Sequence, residues 1–537
     1  MLKLVSIPML LLIRVLSSVL FYGTPVLGFW LVSSLAAFLG GPPWMAWTAG
    51  AFLFPIIPGL WELHAHTHRR ADSKPILKPL ERLAIRTFIV GAAFIAVLLY
   101  LYPQAAFVAL STRGDWMLDG VKDARADKVR QVLFTAAGGI EWLHEATKHN
   151  PYKKLIDPEA RQIAEEATKQ REDETEKSEK SDENTEQTVD QDSLLFRPPP
   201  ISQNNGTDVS QEDATDVAEQ QTDTSDQQTA AVKQKTADAN RKKSDKKWPW
   251  KQSALHPAVV SMPASVETSI ESVAKYIAKQ ESDPVLRMKA LHDYVADRVA
   301  YDSVSFYAGK FPPQDAETVF KTRKSVCAGY ANLFYALATA IKEKVIVVVG
   351  NARDMSTGDR LSPSGHAWNA ASIKGHWYLV DACWDSGYAS REKGFTKSYN
   401  TNYLFPPPAV MLEDHFPEES TWQLLAKPMT QGEFLRQPML RPSFQAAELV
   451  LLAPGRAQNE ADSNAVAIVQ NPEKVWLMAS LEENGKQIGS PQTTNTETAR
   501  IEFPLPEKGK YRLNMFTNEK SEYGDYEFVG SVDYVSR

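Results

Sequence analysis

The sequence predicts a multi-domain protein with four parts: an α-helical membrane anchor, a disordered linker, an α+β core and a C-terminal β-sandwich. Three observations predict this arrangement. Apolar runs dominate residues 4–110, an acidic stretch covers residues 157–247, and residues 441–537 contain short strand-like runs separated by turn residues. At about 100 to 200 residues per domain, a chain of 537 residues is long enough for three or four folding units.

The net charge of −7 is concentrated in the acidic stretch. Residues 157–247 contain 23 Asp and Glu residues against 13 Lys and Arg residues. Since the chain as a whole has no basic excess, its composition gives no electrostatic support for a nucleic-acid partner. The two cysteines, Cys327 and Cys383, are too few for a disulfide scaffold or a cysteine-based structural zinc site.

Residues 1–111 are predicted to form a membrane anchor of three or four transmembrane helices. A span needs about 20 predominantly apolar residues, and the segments Trp44–Trp61 and Thr87–Leu110 qualify. The run Leu4–Leu39 is too long for one simple span and is interrupted at Gly23–Pro25, so it forms either two helices or one long tilted helix. A cleaved signal peptide fits less well, because its short apolar core would not be followed by two further spans.

The loop between the last two clear spans predicts the orientation. Residues 64–86 contain six Lys and Arg residues against two Asp and Glu residues. Cationic loops of this length are retained in the cytoplasm, so the chain after about residue 112 is expected outside it. We therefore expect an integral protein of the plasma or inner membrane with extracytoplasmic soluble domains.

Two segments connect the anchor to the core. Residues 112–156 are expected to form a short helical juxtamembrane segment. Residues 157–250 are expected to be an acidic disordered linker, because a stretch with so few apolar residues cannot offset the entropy cost of ordering. A solvated spacer is the favoured interpretation, and a partner-binding segment is the alternative.

Cys327 is predicted to lie at or near the start of a helix. The apolar positions that follow it recur on one helical face, at Tyr330, Leu333, Phe334, Leu337 and Ile341. At a helix N-terminus the macrodipole favours a thiolate, which is the nucleophilic form of cysteine. A buried structural cysteine fits this position equally well.

The next segment favours catalysis. Residues 345–349 are typical of a buried strand, and residues 366–373 and 377–381 form a hairpin pattern around Lys374-Gly375. Because hairpin strands are antiparallel, His366 at the start of one strand is expected beside Asp381 at the end of the other. Cys327, His366 and Asp381 then supply the nucleophile, base and orienting carboxylate of thiol acyl transfer.

These residues resemble a known family. The blocks Cys327–Ala331, Gly365–Asn369 and Val380–Trp384 are similar to the transglutaminase-like core of the papain-type superfamily. The resemblance covers roughly residues 260–405 of an expected catalytic domain at 255–430. It implies that Cys327 is the nucleophile, His366 the general base and Asp381 the residue that orients His366.

The resemblance extends to the kyphoscoliosis-peptidase-like branch through Asn402–Phe405, Glu413–Pro417 and Trp422–Leu425. That branch implies an immunoglobulin-like domain at 441–537. Short strand-like runs agree with a sandwich there, at Val466–Val469, Lys474–Leu481, Ala499–Phe503, Gly509–Phe516 and Tyr526–Tyr534.

Three further positions bear on the predicted site. Gln314 is an oxyanion candidate, with an ordinary turn residue as the alternative. Cys383 occupies a place where related sequences commonly have Thr or Ser. On a strand it would share a face with Asp381, so a disulfide to Cys327 could lock the nucleophile, although a small packing residue is the simpler interpretation. His415 is expected among loop residues and is a less favoured base.

The predicted function is a membrane-anchored cysteine enzyme that acts on amide bonds of proteins or peptides. Transfer of the thioester to water gives a peptidase or amidase, and transfer to an amine gives an acyltransferase. The triad needs no cofactor or metal. The alternative is an inactive fold that serves as a cell-surface scaffold, whose C-terminal domain binds a surface protein or wall polymer. A third hypothesis places the function in the membrane spans themselves.

Overall fold

The computed structural model describes residues 2–41, 43–68, 77–119, 121, 123–147, 150–182, 248–250, 254–353 and 364–536. The chain divides into two compact units. The first comprises residues 1–151, 350–366 and 412–537, and the second comprises residues 152–349 and 367–411. The boundaries at residues 349/350 and 366/367 fall inside two strands, each of which therefore contributes residues to both units.

The N-terminal region of the first unit is helical. Its helices are α1 (Leu2–Phe38), α2 (Pro43–Ala51), α3 (Ile57–Thr67), α4 (Pro79–Leu101), α5 (Pro103–Arg113), α6 (Ala124–Gly138) and α7 (Glu141–Thr147). Among the described residues, three segments are long and apolar enough to cross a membrane: Ser18–Phe38, Pro43–Thr67 and Pro79–Leu101. This number agrees with the lower of the two predicted span counts.

Gly23–Pro25 does not divide α1. Proline cannot donate to the carbonyl one turn earlier, and such a loss often breaks a helix. Here the helix continues through Pro25 nevertheless, and the hydroxyl of Thr24 donates a hydrogen bond of 2.6 Å to the carbonyl of Leu20. The apolar run therefore continues as one helix.

The predicted span Thr87–Leu110 is wrong at its C-terminal end. Helix α4 ends at Leu101, and Pro103 begins α5. The side chains of Phe107 and Val108 in α5 belong to a protein core that also contains Phe416 and Phe434. Their apolar character thus reflects packing inside the first unit.

The predicted linker begins in ordered structure. Helix α8 (Pro158–Asp182) occupies its first part, and Tyr152, Ile156 and Ala160 lie in the core of the second unit. The low apolar content predicted disorder, but a few buried residues hold this otherwise charged helix in place. The linker's predicted C-terminal end is also attached, since Nε1 of Trp250 donates to the carbonyl of Leu404 at 2.7 Å. Residues 183–247 lie outside the described residues.

The second unit is an α+β core. Its helices are α9 (Pro257–Val260), α10 (Ile270–Gln280), α11 (Pro284–Arg298), α12 (Ser303–Ala308), α13 (Ala316–Thr322), α14 (Cys327–Ala340) and α15 (Pro408–Met411). Helix α14 is buried on most of its circumference, and α10, α11 and α13 contact it. Its apolar sequence is that of a central core helix.

The strands between residues 300 and 417 are β1 (Ala300–Tyr301), β2 (Lys324–Ser325), β3 (Lys344–Ala352), β4 (Ser364–Ile373), β5 (His376–Val380), β6 (Gly387–Ser390), β7 (Gly394–Lys397) and β8 (His415–Pro417). A four-stranded sheet has the order β5-β4-β3-β8. The predicted hairpin is confirmed: Ile373 pairs with His376 across Lys374 and Gly375, both of which have positive φ as a type I′ turn requires.

The C-terminal part of the first unit contains two sheets. Its elements are α16 (Gln431–Arg436), α17 (Pro442–Ala446), β9 (Met439–Leu440), β10 (Val450–Ala453), β11 (Gln458–Ala461), β12 (Asn464–Gln470), β13 (Trp476–Glu483), β14 (Lys486–Thr494), β15 (Thr498–Pro504), β16 (Gly509–Asn518) and β17 (Glu527–Ser536).

One sheet has the order β10-β12-β15, and the other has the order β11-β17-β16-β13-β14, with β9 beside β17. Val469 and Ile501 from the first sheet share a buried core with Leu477, Leu513 and Val532 from the second. The predicted strand runs overlap β12, β13, β15, β16 and β17. The immunoglobulin-like assignment stays a prediction.

Candidate active site

Cys327 is the first residue of α14, as the periodicity predicted. The preceding residue, Val326, has an extended backbone and provides no side-chain cap. The N–H of Val326 instead donates a hydrogen bond of 3.0 Å to Oε1 of Gln314. Cys327 is 1% exposed. The nucleophile candidate therefore lies at the positive end of a buried helix.

Gln314 is a buried part of this site. Its Oε1 also accepts a hydrogen bond of 3.0 Å from the hydroxyl of Ser325, and its Nε2 donates to the carbonyl of Pro312 at 2.9 Å. The amide is therefore held on both sides immediately before the helix that begins with Cys327. An ordinary exposed turn residue would not have these contacts.

Asn369 connects the predicted base strand to the nucleophile helix. Its Nδ2 donates hydrogen bonds of 3.1 Å to the carbonyls of Ala331 in α14 and Ile346 in β3. Asn369 is buried, so both bonds are shielded from water. Sequence reasoning gave this residue no role, although it stands in the Gly365–Asn369 block.

The strand register places His366 and Asp381 at the same end of the hairpin. Asn369 of β4 pairs with Val380 of β5, Asp381 follows Val380 directly, and His366 lies three residues before Asn369. Both side chains are buried. By contrast, His376 lies at the turn end of the hairpin and is exposed.

The Asp381 carboxylate is held by its own turn. Its Oδ1 accepts hydrogen bonds from the backbone N–H groups of Cys383 at 2.8 Å and Trp384 at 3.2 Å. The backbone N–H of Asp381 donates to the carbonyl of Tyr403 at 3.0 Å. The carboxylate orientation is thus fixed by main-chain groups.

The prediction that Cys383 shares a strand face with Asp381 is wrong. Strand β5 ends at Val380, and Cys383 has helical φ and ψ angles in the turn that follows. Both cysteines are free and buried. Burial, followed by the charges of Asp381 and Cys327, raises the pKa of the Cys383 thiol well above its ordinary value. Cys383 is therefore held as a neutral thiol, and a bond to Cys327 stays a prediction.

The first unit contains a second histidine, for which a loop position was predicted. His415 lies on β8 rather than in a loop, and it is fully buried. Its Nδ1 is 2.6 Å from Oδ1 of Asp414, and its ring centroid is 5.1 Å from that of His366. Asp414 Oδ2 in turn accepts a hydrogen bond of 3.1 Å from Arg441. The Glu413–Pro417 block was the available signal.

Asn150, in the predicted juxtamembrane segment, supports the start of β4. Nδ2 of Asn150 donates to the carbonyl of Gly350 at 2.6 Å and to that of His366 at 3.4 Å.

Residues 271–382 match the model of the transglutaminase-like superfamily. That range contains Cys327, His366 and Asp381. This part of the chain is therefore a transglutaminase-like superfamily domain.

The chain is similar to kyphoscoliosis peptidase of Mus musculus, with 25% identity over 303 residues, and of Homo sapiens, with 24% identity over 299 residues. Each alignment covers 52% of this chain and 44% of the relative, so the chain spans less than half the length of these relatives. Hillarin of Drosophila melanogaster is 27% identical over 90 residues, which are 15% of this chain and 11% of hillarin.

Two solved structures are similar at 19% identity. A structure of a TGase matches 25% of this chain and 34% of its own, and a protein from Cytophaga hutchinsonii assigned as a cysteine protease matches 27% and 51%. Both have a TM-score of 0.18, which is too low to establish a common overall fold.

Proposed function

We propose that this protein is a membrane-anchored cysteine enzyme that acts on amide bonds of proteins or peptides. The observation that carries the proposal is the position of Cys327 at the first residue of α14, within the segment that matches the transglutaminase-like superfamily. The partial positive charge of the helix N-terminus favours a thiolate there. Similarity to two proteins named as peptidases supports the same class of reaction.

In the proposed reaction, His366 removes the thiol proton and the sulfur of Cys327 attacks the amide carbonyl carbon. The backbone N–H of Cys327 and Nε2 of Gln314 donate to the oxyanion that forms. His366 then transfers the proton to the departing amine, which leaves a thioester on Cys327. Attack by water releases an acid, whereas attack by a second amine forms a new amide bond. These steps require no cofactor or metal.

Asp381 has the role of orienting His366. Its carboxylate is fixed by the N–H groups of Cys383 and Trp384, so the triad acceptor is already in place before substrate binds. Asn369 contributes by holding β4, which carries His366, against α14, which carries Cys327. Such support keeps reacting groups within the small tolerances that catalysis needs.

His415 is the competing candidate for the base, because it has a carboxylate partner of its own in Asp414. The sequence order and the superfamily resemblance favour His366. Matched His366→Ala and His415→Ala variants distinguish the two assignments. The variant that lacks the base loses activation of the Cys327 thiol, whereas the variant that lacks only a neighbouring imidazole shows a modest change in that activation.

An inactive fold that serves as a surface scaffold is the second candidate. The near-complete burial of Cys327 favours it, because a substrate must reach a sulfur that is only 1% exposed. In that case the thiol reacts slowly and independently of His366. The sandwich region would then carry the function by binding a cell-surface protein or a wall polymer.

We further propose that the three apolar helical segments span the membrane and that the soluble parts lie outside the cytoplasm. The support is the cationic composition of residues 64–86, which include the connection between the second and third segments. A reporter fused after residue 115 should respond as extracytoplasmic, and a cytoplasmic response would contradict the orientation. Protein and peptide substrates, rather than nucleic acids, fit a chain without a basic excess.

The enzymatic proposal is tested on the full chain in detergent micelles with an iodoacetamide-alkyne probe and a peptide library. Labelling of the Cys327 peptide is read by mass spectrometry at pH 7. Cys327→Ala must abolish both turnover and this labelling, and His366→Ala must slow labelling at least tenfold. Cys383→Ser is the matched control and should label like the wild type. Equal labelling of wild type and His366→Ala would overturn the proposal and favour the scaffold.

A further inference from the structure

A cluster of buried charged side chains lies in the second unit outside the proposed triad. His292 of α11 has Nδ1 3.0 Å from Oδ1 of Asp293 and Nε2 3.1 Å from Oδ2 of Asp385. All three residues are fully buried. A neutral imidazole has only one N–H, so it cannot donate to both carboxylates. Both contacts are hydrogen bonds only when the ring is protonated or one carboxyl carries the proton.

The surrounding groups balance the charges. Asp293 accepts hydrogen bonds from Nζ of Lys289 at 2.5 Å, the hydroxyl of Tyr399 at 2.6 Å and the backbone N–H of His256 at 2.7 Å. Burial by itself lowers the pKa of His292, but the hydrogen bonds to Asp293 and Asp385 outweigh it and raise that pKa. The cluster then holds two cations and two carboxylates, the pairing that buried charges need.

Asp385 connects this cluster to the turn that carries Asp381. Its backbone N–H donates to the carbonyl of Asp381 at 3.2 Å. Its two carboxylate oxygens accept from the N–H of Tyr403 at 3.0 and 3.1 Å, and the carbonyl of Tyr403 accepts from the N–H of Asp381. Asp381 thus donates to the carbonyl of Tyr403, and Asp385 accepts from the N–H of the same residue.

We propose that His292 is a positioning residue, whose hydrogen bond to Asp385 fixes the turn 381–386 and thereby the orientation of the Asp381 carboxylate. This inference rests on the proposed function for its catalytic consequence. The structural part of the inference is independent of the proposed function. It rests on the hydrogen bond between His292 of α11 and Asp385, which lies in the same turn as the N–H groups of Cys383 and Trp384 that hold Asp381.

Two substitutions of His292 separate positioning from simple loss of charge. The amide nitrogen of Gln reaches approximately the place of imidazole Nε2, whereas that of Asn reaches approximately the place of Nδ1. His292→Gln therefore retains a donor for Asp385, and His292→Asn does not. Glu267→Gln is a matched control, because it weakens ion pairs with Arg298 and Arg323 in the same unit without touching the turn.

The experiment measures hydrogen exchange of the peptide 380–387 and alkylation of Cys327 by iodoacetamide at pH 7 in the full chain. We expect His292→Asn to raise exchange and slow alkylation at least tenfold, and His292→Gln to restore most of both. Adding His292→Asn to Asp381→Asn should slow alkylation no further. Unchanged exchange in His292→Asn, or equal effects of the Gln and Asn variants, would overturn the inference.

Failure of the proposed function has a different signature. If His366→Ala alkylates as fast as the wild type, the triad is not active, but exchange of 380–387 still decides whether His292 positions the turn. Increased exchange in Glu267→Gln as large as in His292→Asn would show general loosening of the unit and would count against the inference.

Discussion

Nδ2 of Asn332 donates a hydrogen bond of 2.9 Å to the carbonyl of Leu155, which joins the nucleophile helix to the segment that precedes α8. The same Nδ2 donates to the carbonyl of Gln314 at 2.8 Å, and Oδ1 accepts from the N–H of Asp157 at 3.1 Å. One buried amide thus connects the start of the predicted linker with the oxyanion candidate. The predicted linker therefore begins in contact with the core of the second unit.

Replacement of Asn332 by Leu should free this segment. The change removes the partner of the buried carbonyl of Gln314 and of the partly buried backbone groups of Leu155 and Asp157, so we expect the free energy of unfolding to fall by about 3 kcal/mol. Hydrogen exchange of residues 155–170 should rise. Asn471→Leu is the control, because Asn471 makes comparable buried bonds to Val475 in the sandwich region. Exchange in 155–170 that responds equally to both variants would contradict the assignment.

Gln314→Leu should impair turnover more than stability. Loss of one oxyanion donor typically lowers kcat about 10²- to 10³-fold, and we expect a decrease of this order with KM little changed. Gln423→Leu is a matched control, because its amide makes similar bonds, of 2.8 and 2.7 Å, to the backbone of Met429. Comparable kcat values for the two variants would leave Gln314 with a structural role only.

Gly329 is expected to tolerate no side chain. A Cβ there would lie 2.2 Å from Oγ of Ser325 and 2.6 Å from Cγ2 of Val319. Gly329→Ala should therefore lower the free energy of unfolding by about 1–3 kcal/mol and displace the start of α14. Gly138→Ala meets open space at the end of α6 and should be neutral or slightly stabilising. The measurement is the urea midpoint followed by near-ultraviolet circular dichroism, and equal midpoints would contradict the clash.

Asp385 should make stability depend on pH in the acidic range. Burial raises its pKa from 3.8 to about 6, against the lowering effect of the hydrogen bond from His292. Between pH 3.8 and about pH 6, Asp385 keeps a proton in the folded state that it has lost in the unfolded state. Stability should therefore fall by about 3 kcal/mol as pH rises from about 4 to about 6. The pKa of His292 is raised in the folded state, so its stabilising contribution is present below its unfolded pKa and is lost only as pH rises through the raised value.

Comparison of urea midpoints at pH 4.5 and 6.5 tests this prediction. Asp385→Asn has no titrating group, so it should lack this component of the pH dependence. If wild type and Asp385→Asn change by the same amount between the two pH values, the carboxyl titrates as in the unfolded chain and the prediction is wrong.

Local patterns were sufficient for much of the architecture. Periodicity alone predicted a helix that starts at or near Cys327, and the Lys374-Gly375 turn predicted the hairpin that carries His366 and Asp381 at one end. Alternation of apolar residues predicted strands β12, β13, β15, β16 and β17. These features depend on neighbours within a few residues or a few turns, so the sequence contains their signal directly.

The contacts between distant segments were decided only by the tertiary structure. Composition placed α8 in a disordered linker, but Ala160 of α8, like Tyr152 and Ile156 just before this helix, is buried among residues far along the chain. The supporting hydrogen bonds of Asn332, Asn369 and His292 likewise connect separate elements. Periodicity reports how a segment can bury one face, whereas the identity of the partner depends on the packing of the whole chain. The sequence by itself thus determined the candidate catalytic residues, and the tertiary structure determined which buried polar side chains hold them.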